Sequence, residues 1–240
     1  MNQVGVVAAL AVEARTLGRA VRRRDGLSSL PDGALLAVGG MGGVLAASAA
    51  RRLAEAGAVG LLSFGFAGGL DPELNAGALV CPVEVISGSG ARFAASTDWR
   101  ERLRATTAAR QPLVAGALLT RAAPIDSVAD KAVAFRETGA IAVDMESFAV
   151  AEVAAALGLP FMALRVIVDT ATDVLPQSVL GASRGGNLSM RRLLGGLALA
   201  PWECLALIRL AQRYRAATRS LAAVAGAGLP TPQALGTRAA

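Results

Sequence analysis

Short apolar runs alternate with amphipathic stretches along most of the chain. Uninterrupted apolar runs of this length are typical of strands buried on both faces of a parallel sheet. They predict strands at residues 4–10, 34–38, 59–64, 78–86, 113–119, 141–143 and 161–168. The stretches between them predict helices at residues 12–24, 44–56, 98–109, 127–137 and 146–157. Strands that alternate with helices indicate an α/β fold, in which helices flank a mainly parallel sheet.

The length of 240 residues suits one α/β domain with a sizeable core. We predict a single domain over residues 1–225, mostly helical after residue 178, and a flexible Gly/Pro/Ala-rich tail over residues 226–240. The most apolar long window, residues 193–211, contains Pro201, Glu203 and Arg209, so it does not predict a membrane span. The N-terminus has no signal-peptide pattern, which predicts a cytoplasmic protein.

Composition restricts the chemistry. There is no histidine, and Lys131 is the one lysine in an arginine-rich chain, so proton transfer is left to carboxylates, Tyr214, Lys131 or water. Two cysteines without CxxC spacing predict no zinc site. The net charge is +6, but the basic residues are scattered and aromatic residues are scarce, which argues against a nucleic-acid partner. The one tight basic run, residues 22–24, is interpreted as a solvated helix face.

Two apolar runs end in carboxylates. Asp144 and Glu146 follow the predicted strand at residues 141–143, and Asp169 follows the strand at residues 161–168. In open α/β sheets, ligands bind at the carboxyl ends of the strands. We therefore expect acids from these neighbouring strands to converge on one crevice. A glycine-rich turn is predicted at residues 65–69, where backbone N–H groups approach a ligand closely.

Four blocks occur in an order that resembles the nucleoside phosphorylase and nucleosidase superfamily. They are residues 4–10 with Glu13, residues 65–70, residues 142–146, and Arg165 with Asp169. The resemblance covers roughly residues 4–195. It implies a three-layer phosphorylase-like α/β fold with a twisted, mixed, mainly parallel central sheet flanked by helices. It also implies a homo-oligomer without metal or organic cofactor.

Within this superfamily, the chain looks most like the methylthioadenosine/adenosylhomocysteine nucleosidases. Three features are similar to sequences of the hopanoid-associated branch. They are the residue sequence at 142–147, the turn at residues 169–176 and the arginine-rich C-terminal helix. That finer resemblance implies a lipid-linked substrate, adenosylhopane, from which adenine is released, as well as the small-molecule purine nucleosides of the wider family.

The resemblance implies roles for four residues. Cleaving a purine N-glycosidic bond requires protonation of the leaving base, a grip on the sugar and a nucleophile. Asp169 matches the general acid at the purine N7, Glu146 the acceptor for the ribose 2′ and 3′ hydroxyls, and Met145 the residue packed on the sugar. Glu13 matches the residue that activates water. The alternatives are a helix cap for Asp169, a helix first-turn acid for Glu146, core packing for Met145 and a solvated surface position for Glu13.

The resemblance further places Phe66, Ala67, Gly68 and Ile125 at the substrate. It also shows two departures. Pro124 stands where the methylthioadenosine nucleosidases have an aromatic residue that stacks on the base, which indicates a different substrate or a looser pocket. Phosphorylases have Arg-x-Gly-[Ser/Thr] where this chain has Ser-Phe-Gly-Phe at residues 63–66.

That second departure favours water over phosphate as the nucleophile, since phosphate requires charge-assisted donors. A distant cation such as Arg184 leaves a phosphorylase open, and a catalytically silent nucleoside-binding protein is an alternative from another class. Phe64, Phe66 and the apolar segment at residues 193–210 suggest a route for a lipid. The arginines that follow suggest a peripheral contact with the inner membrane, with plain packing as the alternative. These are Arg209, Arg213, Arg215 and Arg219.

Overall fold

A central sheet of 12 strands dominates the computed structural model, which describes residues 3–107, 112–174 and 204–232, the stretch 204–210 as backbone only. The strands are β1 Gln3–Ala8, β2 Val21–Arg22, β3 Ser28–Ser29, β4 Leu35–Val38, β5 Ala58–Gly69, β6 Leu79–Val80, β7 Glu84–Ser87, β8 Arg92–Ala94, β9 Leu113–Val114, β10 Ala117–Thr120, β11 Ala140–Asp144 and β12 Phe161–Asp169. The helices are α1 Ala11–Thr16, α2 Gly43–Glu55, α3 Thr97–Thr107, α4 Val128–Thr138, α5 Ser147–Ala156 and α6 Cys204–Gly226.

The long strand β5 connects the two halves of the sheet. It pairs in parallel with β1 along one edge and with β12 along the other. Its last two residues, Gly68 and Gly69, pair with β11, which runs antiparallel to it. Beyond β11 the order continues through β10, β7 and β8, and beyond β1 through β4, β3 and β2. The sheet is thus mixed and mainly parallel, as predicted.

Helices cover both faces of the sheet. On one face α2 and α5 pack together through small side chains, including Ala46, Ala50 and Ala154, against buried residues of β1, β5 and β12. On the other face Trp99 and Leu103 of α3 pack with residues of α1 and α6. Alanine dominates the buried face of α2, and such small side chains allow a helix to pack close to a sheet. The predicted three-layer α/β fold is confirmed.

Two predicted strands are each divided into two. The run at residues 78–86 breaks at Cys81–Pro82, because proline has no N–H for a ladder. The run at residues 113–119 breaks before Gly116, where a Cβ would lie 2.6 Å from the side chain of Ile141. The pieces β6 and β9 pair with each other, while β7 and β10 pair beside β11.

Two further predictions are wrong. The helix predicted at residues 12–24 ends at Thr16, since Gly18 (φ 97°) reverses the chain into the β2–β3 hairpin, so the basic run at residues 22–24 lies on that hairpin. The turn predicted at residues 65–69 is the second half of β5, where pairing with β12 and β11 overrides the weak strand preference of glycine.

The C-terminal residues that follow α6 turn back onto α3. Trp99 donates its indole N–H to the carbonyl of Pro230 (2.6 Å), and Arg102 donates to the carbonyl of Thr231 (3.4 Å). These contacts lie within the tail predicted at residues 226–240, of which residues 233–240 are outside the described ranges. Within those ranges, no helix combines the length and the apolar character that crossing a membrane requires.

Candidate active site

A cavity of about 220 Å³ lies at the carboxyl ends of β1, β11 and β12 and along the second half of β5. All of the residues predicted for the site line it. They are Glu13, Phe66, Ala67, Gly68, Ile125, Met145, Glu146 and Asp169. The crevice inferred from the ends of apolar runs therefore exists, and it gathers four carboxylates, those of Glu13, Asp144, Glu146 and Asp169, from three separate segments of the chain.

The acids converge on the cavity, but the strands that carry them are not arranged as predicted. The strands that carry them, β11 and β12, are not neighbours, because both pair with β5. β12 runs parallel to β5, whereas β11 meets the end of β5 from the opposite direction. Asp169 and Glu146 thus approach the same cavity from opposite sides of Gly68, whose hypothetical Cβ would lie 3.1 Å from Asp169 Oδ2 and 3.4 Å from Val143.

A larger hollow, of about 500 Å³, lies on the outer surface of α2 and α5. Its charged residues, Arg51, Glu55 and Glu152, are exposed to solvent, and the rest of its lining is mainly alanine, leucine and valine. The acids that line the smaller cavity are buried, whereas the charged groups of this hollow are solvated. The smaller cavity is therefore the candidate active site.

Glu13 is held almost entirely by the backbone. Its Oε2 accepts hydrogen bonds from the N–H groups of Ala9 (2.9 Å) and Leu10 (2.8 Å), and its Oε1 accepts one from Phe66 N–H (2.9 Å). Glu13 is only 2% exposed, and burial raises its pKa, opposed by the nearby Arg165 guanidinium. A carboxylate has about four acceptor positions, so one position on Oε1 is left for a further donor.

The solvated surface position considered for Glu13 is therefore wrong. The bond from Phe66 also changes the part that residues 65–69 play. The Phe66 N–H is committed to Glu13, and this segment belongs to the sheet, so Phe66 contributes its ring to the cavity instead of a free N–H group.

Glu146 stands immediately before α5, but its side chain does not cap that helix. Its Oε1 accepts from the N–H of Gly42 (2.8 Å), the N-cap residue of α2. Its Oε2 lies 3.7 Å from Arg165 Nη2. The position that would cap α5 is instead taken by Asp144, which accepts from the N–H of Ser147 (3.0 Å). Glu146 therefore faces the cavity, where burial raises its pKa to about 7.

Arg165 is a buried cation behind this part of the cavity, with 1% exposure. Its Nη2 pairs with Asp144 Oδ2 (2.7 Å) and donates to Ser63 Oγ (2.6 Å), and its Nη1 donates to the Phe66 carbonyl (3.4 Å). One guanidinium thus faces Asp144, Glu146 and, more distantly, Glu13. The described lining of the cavity thus contains acidic side chains backed by one guanidinium, an arrangement that suits a cationic species inside it.

Asp169 is paired with Lys131. The ammonium of Lys131 lies 2.5 Å from Asp169 Oδ2, and Lys131 is fully buried in α4. Burial raises the pKa of Asp169, while the ammonium favours its ionised form. The residues after Asp169 form a turn, and none of those described up to residue 174 begins a helix, so the helix cap considered for Asp169 is not observed.

The remaining wall is apolar. The rings of Phe66 and Tyr214, which belongs to α6, lie 4.8 Å apart at 48°, and Pro124 and Ile125 form another part of the lining. Burial raises the pKa of Tyr214 to about 12, so its phenol stays protonated near neutral pH. Phe64 is completely buried in the core, so it does not line the route that was suggested for a lipid.

No lysine or arginine is among the described residues that line the cavity. Ser63, which stands where phosphorylases have a cation, is buried, and its hydroxyl contacts Arg165 and Ser147 behind the cavity. Arg184, the cation that left a phosphorylase open, lies outside the described residues, as do residues 193–203 of the suggested apolar route.

The sequence did not predict the partners of these acids. Arg165 belongs to one of the four blocks that resemble the superfamily, but the resemblance implies no role for it. An arginine inside an apolar strand is nevertheless a signal for a buried ion pair. Lys131 was a candidate for proton transfer but was not placed in the site. The feature of the sequence that singles out Lys131 is that all of the other basic residues in the chain are arginines. The bond from Gly42 to Glu146 spans 104 positions, so no local pattern could reveal it.

The fold and these acids define a class of α/β enzyme with a carboxylate-lined cavity at the sheet's edge. A family model described as the phosphorylase superfamily matches residues 32–184, and the chain belongs to that superfamily. The predicted enzyme class, a nucleosidase or nucleoside phosphorylase, is thereby confirmed. A comparison with curated proteins finds no match.

Solved structures show the same fold. A 5′-methylthioadenosine/S-adenosylhomocysteine nucleosidase from Neisseria meningitidis, in complex with methylthio-immucillin-A, is 20% identical with a TM-score of 0.71, covering 95% of this chain and 98% of its own. The native futalosine hydrolase of Helicobacter pylori is 17% identical with a TM-score of 0.67, covering 94% and 97%. A putative nucleosidase of the first kind from Francisella philomiragia is 19% identical with a TM-score of 0.68, covering 95% and 98%.

Proposed function

We propose that this protein hydrolyses the N-glycosidic bond of a purine ribonucleoside and releases adenine. The observation that carries the proposal is the convergence of Glu13, Glu146 and Asp169 on one cavity whose described lining includes no cation. The neighbouring structures of a nucleosidase and a futalosine hydrolase support the same reaction class.

Asp169 protonates the purine. As the glycosidic bond breaks, its electron pair moves onto the base, and a proton from the Asp169 carboxyl neutralises the leaving group at N7. Burial favours the protonated carboxyl before the reaction, as a general acid requires.

Glu146 holds the ribose. Its Oε2 accepts no hydrogen bond from the described backbone, and its Oε1 uses one acceptor position on Gly42, so both oxygens retain capacity for sugar hydroxyls. The excess negative charge of Glu146, Asp144 and Glu13 over Arg165 also stabilises the positive charge that develops on the sugar.

Glu13 activates the water. Its remaining acceptor position on Oε1 takes a proton as the water oxygen bonds to the anomeric carbon, and its raised pKa makes it a stronger base than an ordinary carboxylate. The products are the free base and the free sugar, with no phosphate ester.

The test is a panel of purine nucleosides, incubated with and without inorganic phosphate and followed by mass spectrometry. We expect adenine and a free ribose product in phosphate-free buffer, at a rate that phosphate does not raise. Strict dependence on phosphate with a sugar 1-phosphate product would establish a phosphorylase instead. Binding of nucleosides without turnover of any of them would establish the catalytically silent alternative.

A lipid-linked nucleoside such as adenosylhopane is a second candidate substrate. One observation favours it: Phe66 and Tyr214 of α6 form an aromatic wall of the cavity, and Arg215 and Arg219 are exposed on the same helix. Arg213, by contrast, pairs with Asp173. Competition between adenosylhopane and methylthioadenosine, with co-sedimentation on anionic vesicles, tests this candidate. Preference for methylthioadenosine and no vesicle binding would leave a nucleosidase of small substrates. Assembly as a homo-oligomer stays a prediction.

A further inference from the structure

Lys131 is the chain's one lysine, and its ammonium is completely buried. It donates to Asp169 Oδ2 (2.5 Å), to the carbonyl of Thr170 (2.8 Å) and to the carbonyl of Asp173 (3.1 Å). An ammonium has three donors, and all three are used. Removing an ammonium from water is costly unless hydrogen-bond acceptors replace the water. Here all three acceptors are supplied by the end of β12 and the turn that follows it.

The other charged groups near this pair are already matched. The Asp173 carboxylate pairs with Arg213 of α6, and it accepts from Thr170 N–H (2.8 Å). Across the cavity, Glu146 and Asp144 face Arg165. Lys131 is therefore the cation that acts directly on Asp169 among the described residues.

We propose that Lys131 is a positioning residue for the acid of this reaction: its ammonium fixes Oδ2 of Asp169, directs Oδ1 to the purine and stabilises the carboxylate that remains after proton transfer. The proposal rests on the proposed function.

The proton balance is simple. The Asp169 O–H bond breaks and an N–H bond forms at the purine N7, while the electron pair of the glycosidic bond passes to the base. The resulting carboxylate is paired with the Lys131 ammonium, which keeps its own protons. Water supplies a hydroxyl to the sugar and a proton to Glu13, and exchange with solvent returns Glu13 and Asp169 to their initial states.

A structural role makes a different prediction. The bonds from Lys131 to the Thr170 and Asp173 carbonyls also tie α4 to the turn after β12, and a tie alone would affect stability but not the acidity of Asp169. The proposal predicts the direction of a shift in the pH profile. Asp169 must be protonated to donate, so kcat/KM falls as pH rises through the pKa of Asp169. Removing the ammonium raises that pKa and moves this alkaline limb to higher pH.

The experiment compares Lys131→Met, Lys131→Gln and Lys131→Arg with the wild type, by the pH profile of kcat/KM on the best nucleoside of the panel and by Tm. We expect both neutral variants to lose about tenfold or more in kcat and to move the alkaline limb upward by about one pH unit or more, the usual effect of one nearby opposite charge. Lys131→Arg should keep the limb near its wild-type position. Glutamine still donates to a carbonyl, so Lys131→Gln keeps the assay informative if the methionine variant fails to fold.

An unmoved limb in both neutral variants, with only a lower Tm, would overturn the proposal and leave a structural tie. Adding Lys131→Met to Asp169→Asn gives a second criterion: the double variant should be no slower than Asp169→Asn alone, because the lysine acts through the acid. Near-normal turnover by Asp169→Asn itself would instead refute the acid in the proposed function. An inactive Asp169→Asn with an unmoved limb in the Lys131 variants would refute the lysine proposal only.

Discussion

Three of the four carboxylates that line the cavity, those of Glu13, Glu146 and Asp169, are each held by a different kind of partner. Glu13 is surrounded by backbone N–H groups, Glu146 has one backbone N–H and a guanidinium at 3.7 Å, and Asp169 has an ammonium. Partners of different charge and distance shift the acidity of similar side chains by different amounts, which is how one site obtains both an acid and a base.

Replacing Asp169 with asparagine preserves size and polarity but removes the transferable proton. We expect kcat to fall roughly 10²-fold or more, the usual contribution of general acid catalysis, while binding of adenine changes less. Steady-state kinetics and calorimetric titration with adenine measure the two effects. Turnover close to wild type would show that another group protonates the base.

The raised pKa of Glu146, about 7, leads us to expect that binding of ribosides by the proposed site depends on pH. Below about pH 7 the carboxyl becomes protonated and loses acceptor capacity, so KM for a riboside should rise as pH falls. Glu146→Gln should cost about 1.5–3 kcal/mol of riboside binding and remove this dependence. Measuring KM across pH 5.5–8.5 checks it, with the 2′-deoxyriboside as the control that responds less. A wild-type KM without a transition near pH 7 would contradict the role.

The same residue has an opposite effect on folding. Its pKa is higher in the folded protein than the ordinary value of 4.5, so the folded state binds the proton more tightly. The contribution of Glu146 to stability is therefore largest below about pH 4.5 and is lost as pH rises to about 7.

At the scale of elements, the second half of β5 determines how closely the acids can approach. A Cβ on Gly65, where φ is 157°, would lie 2.3 Å from Glu13 Oε1 and 2.8 Å from Arg165 Nη1. Glycine is therefore required here by the closeness of two charged side chains.

Gly65→Ala should displace Glu13 and lower kcat by roughly tenfold or more, since small misplacements of catalytic groups are costly. Overpacking should also reduce the free energy of unfolding by about 1–3 kcal/mol. The matched control is Gly33→Ala, at a positive φ (87°) with open space around the Cβ, which should lose stability but retain kcat. Equal loss of kcat in both variants would show that the effect is general. Urea unfolding and steady-state kinetics make the comparison.

The sequence predicted the elements that bring acids to the cavity, because a buried strand and the carboxylate after it are both local features. Residues 161–169 and 141–146 show this. The predictions failed where a distant neighbour decides the local structure. Gly65 to Gly69 are paired as strand by β12 and β11, and Gly116 is required by Ile141 on another strand. The pairing of Lys131 with Asp169 could not be predicted either, because it depends on how α4 packs beside the end of β12.

At the scale of the molecule, the residues that follow α6 near the C-terminus are bonded to α3 from the first half of the chain. Trp99 is fully buried, and residues 229–232 cover it after α6. This contact lies on the face of the sheet opposite α2 and α5, and neither Trp99 nor residues 229–232 are among the residues that line the cavity. It therefore contributes to stability without a direct part in the chemistry.

Removing residues 227–240 should expose Trp99 and lower the free energy of unfolding by about 1.5–3 kcal/mol, the usual contribution of one large buried side chain. Removing residues 233–240 alone keeps the bond to Pro230 and should have little effect. Urea unfolding measures both truncations, and kcat should remain near wild type in each. Equal stability of the two truncated chains would show that residues 227–232 contribute nothing to the core.

The backbone cradle of Glu13 has an evolutionary consequence. The N–H groups of Ala9, Leu10 and Phe66 exist whatever side chains those positions carry, proline excepted. Substitutions at these positions can therefore reshape the cavity wall while the Glu13 carboxylate keeps its orientation. The side chains around Glu13 can thus diverge without loss of its three backbone bonds, and the fold is indeed shared with solved structures that are only 17–20% identical to this chain.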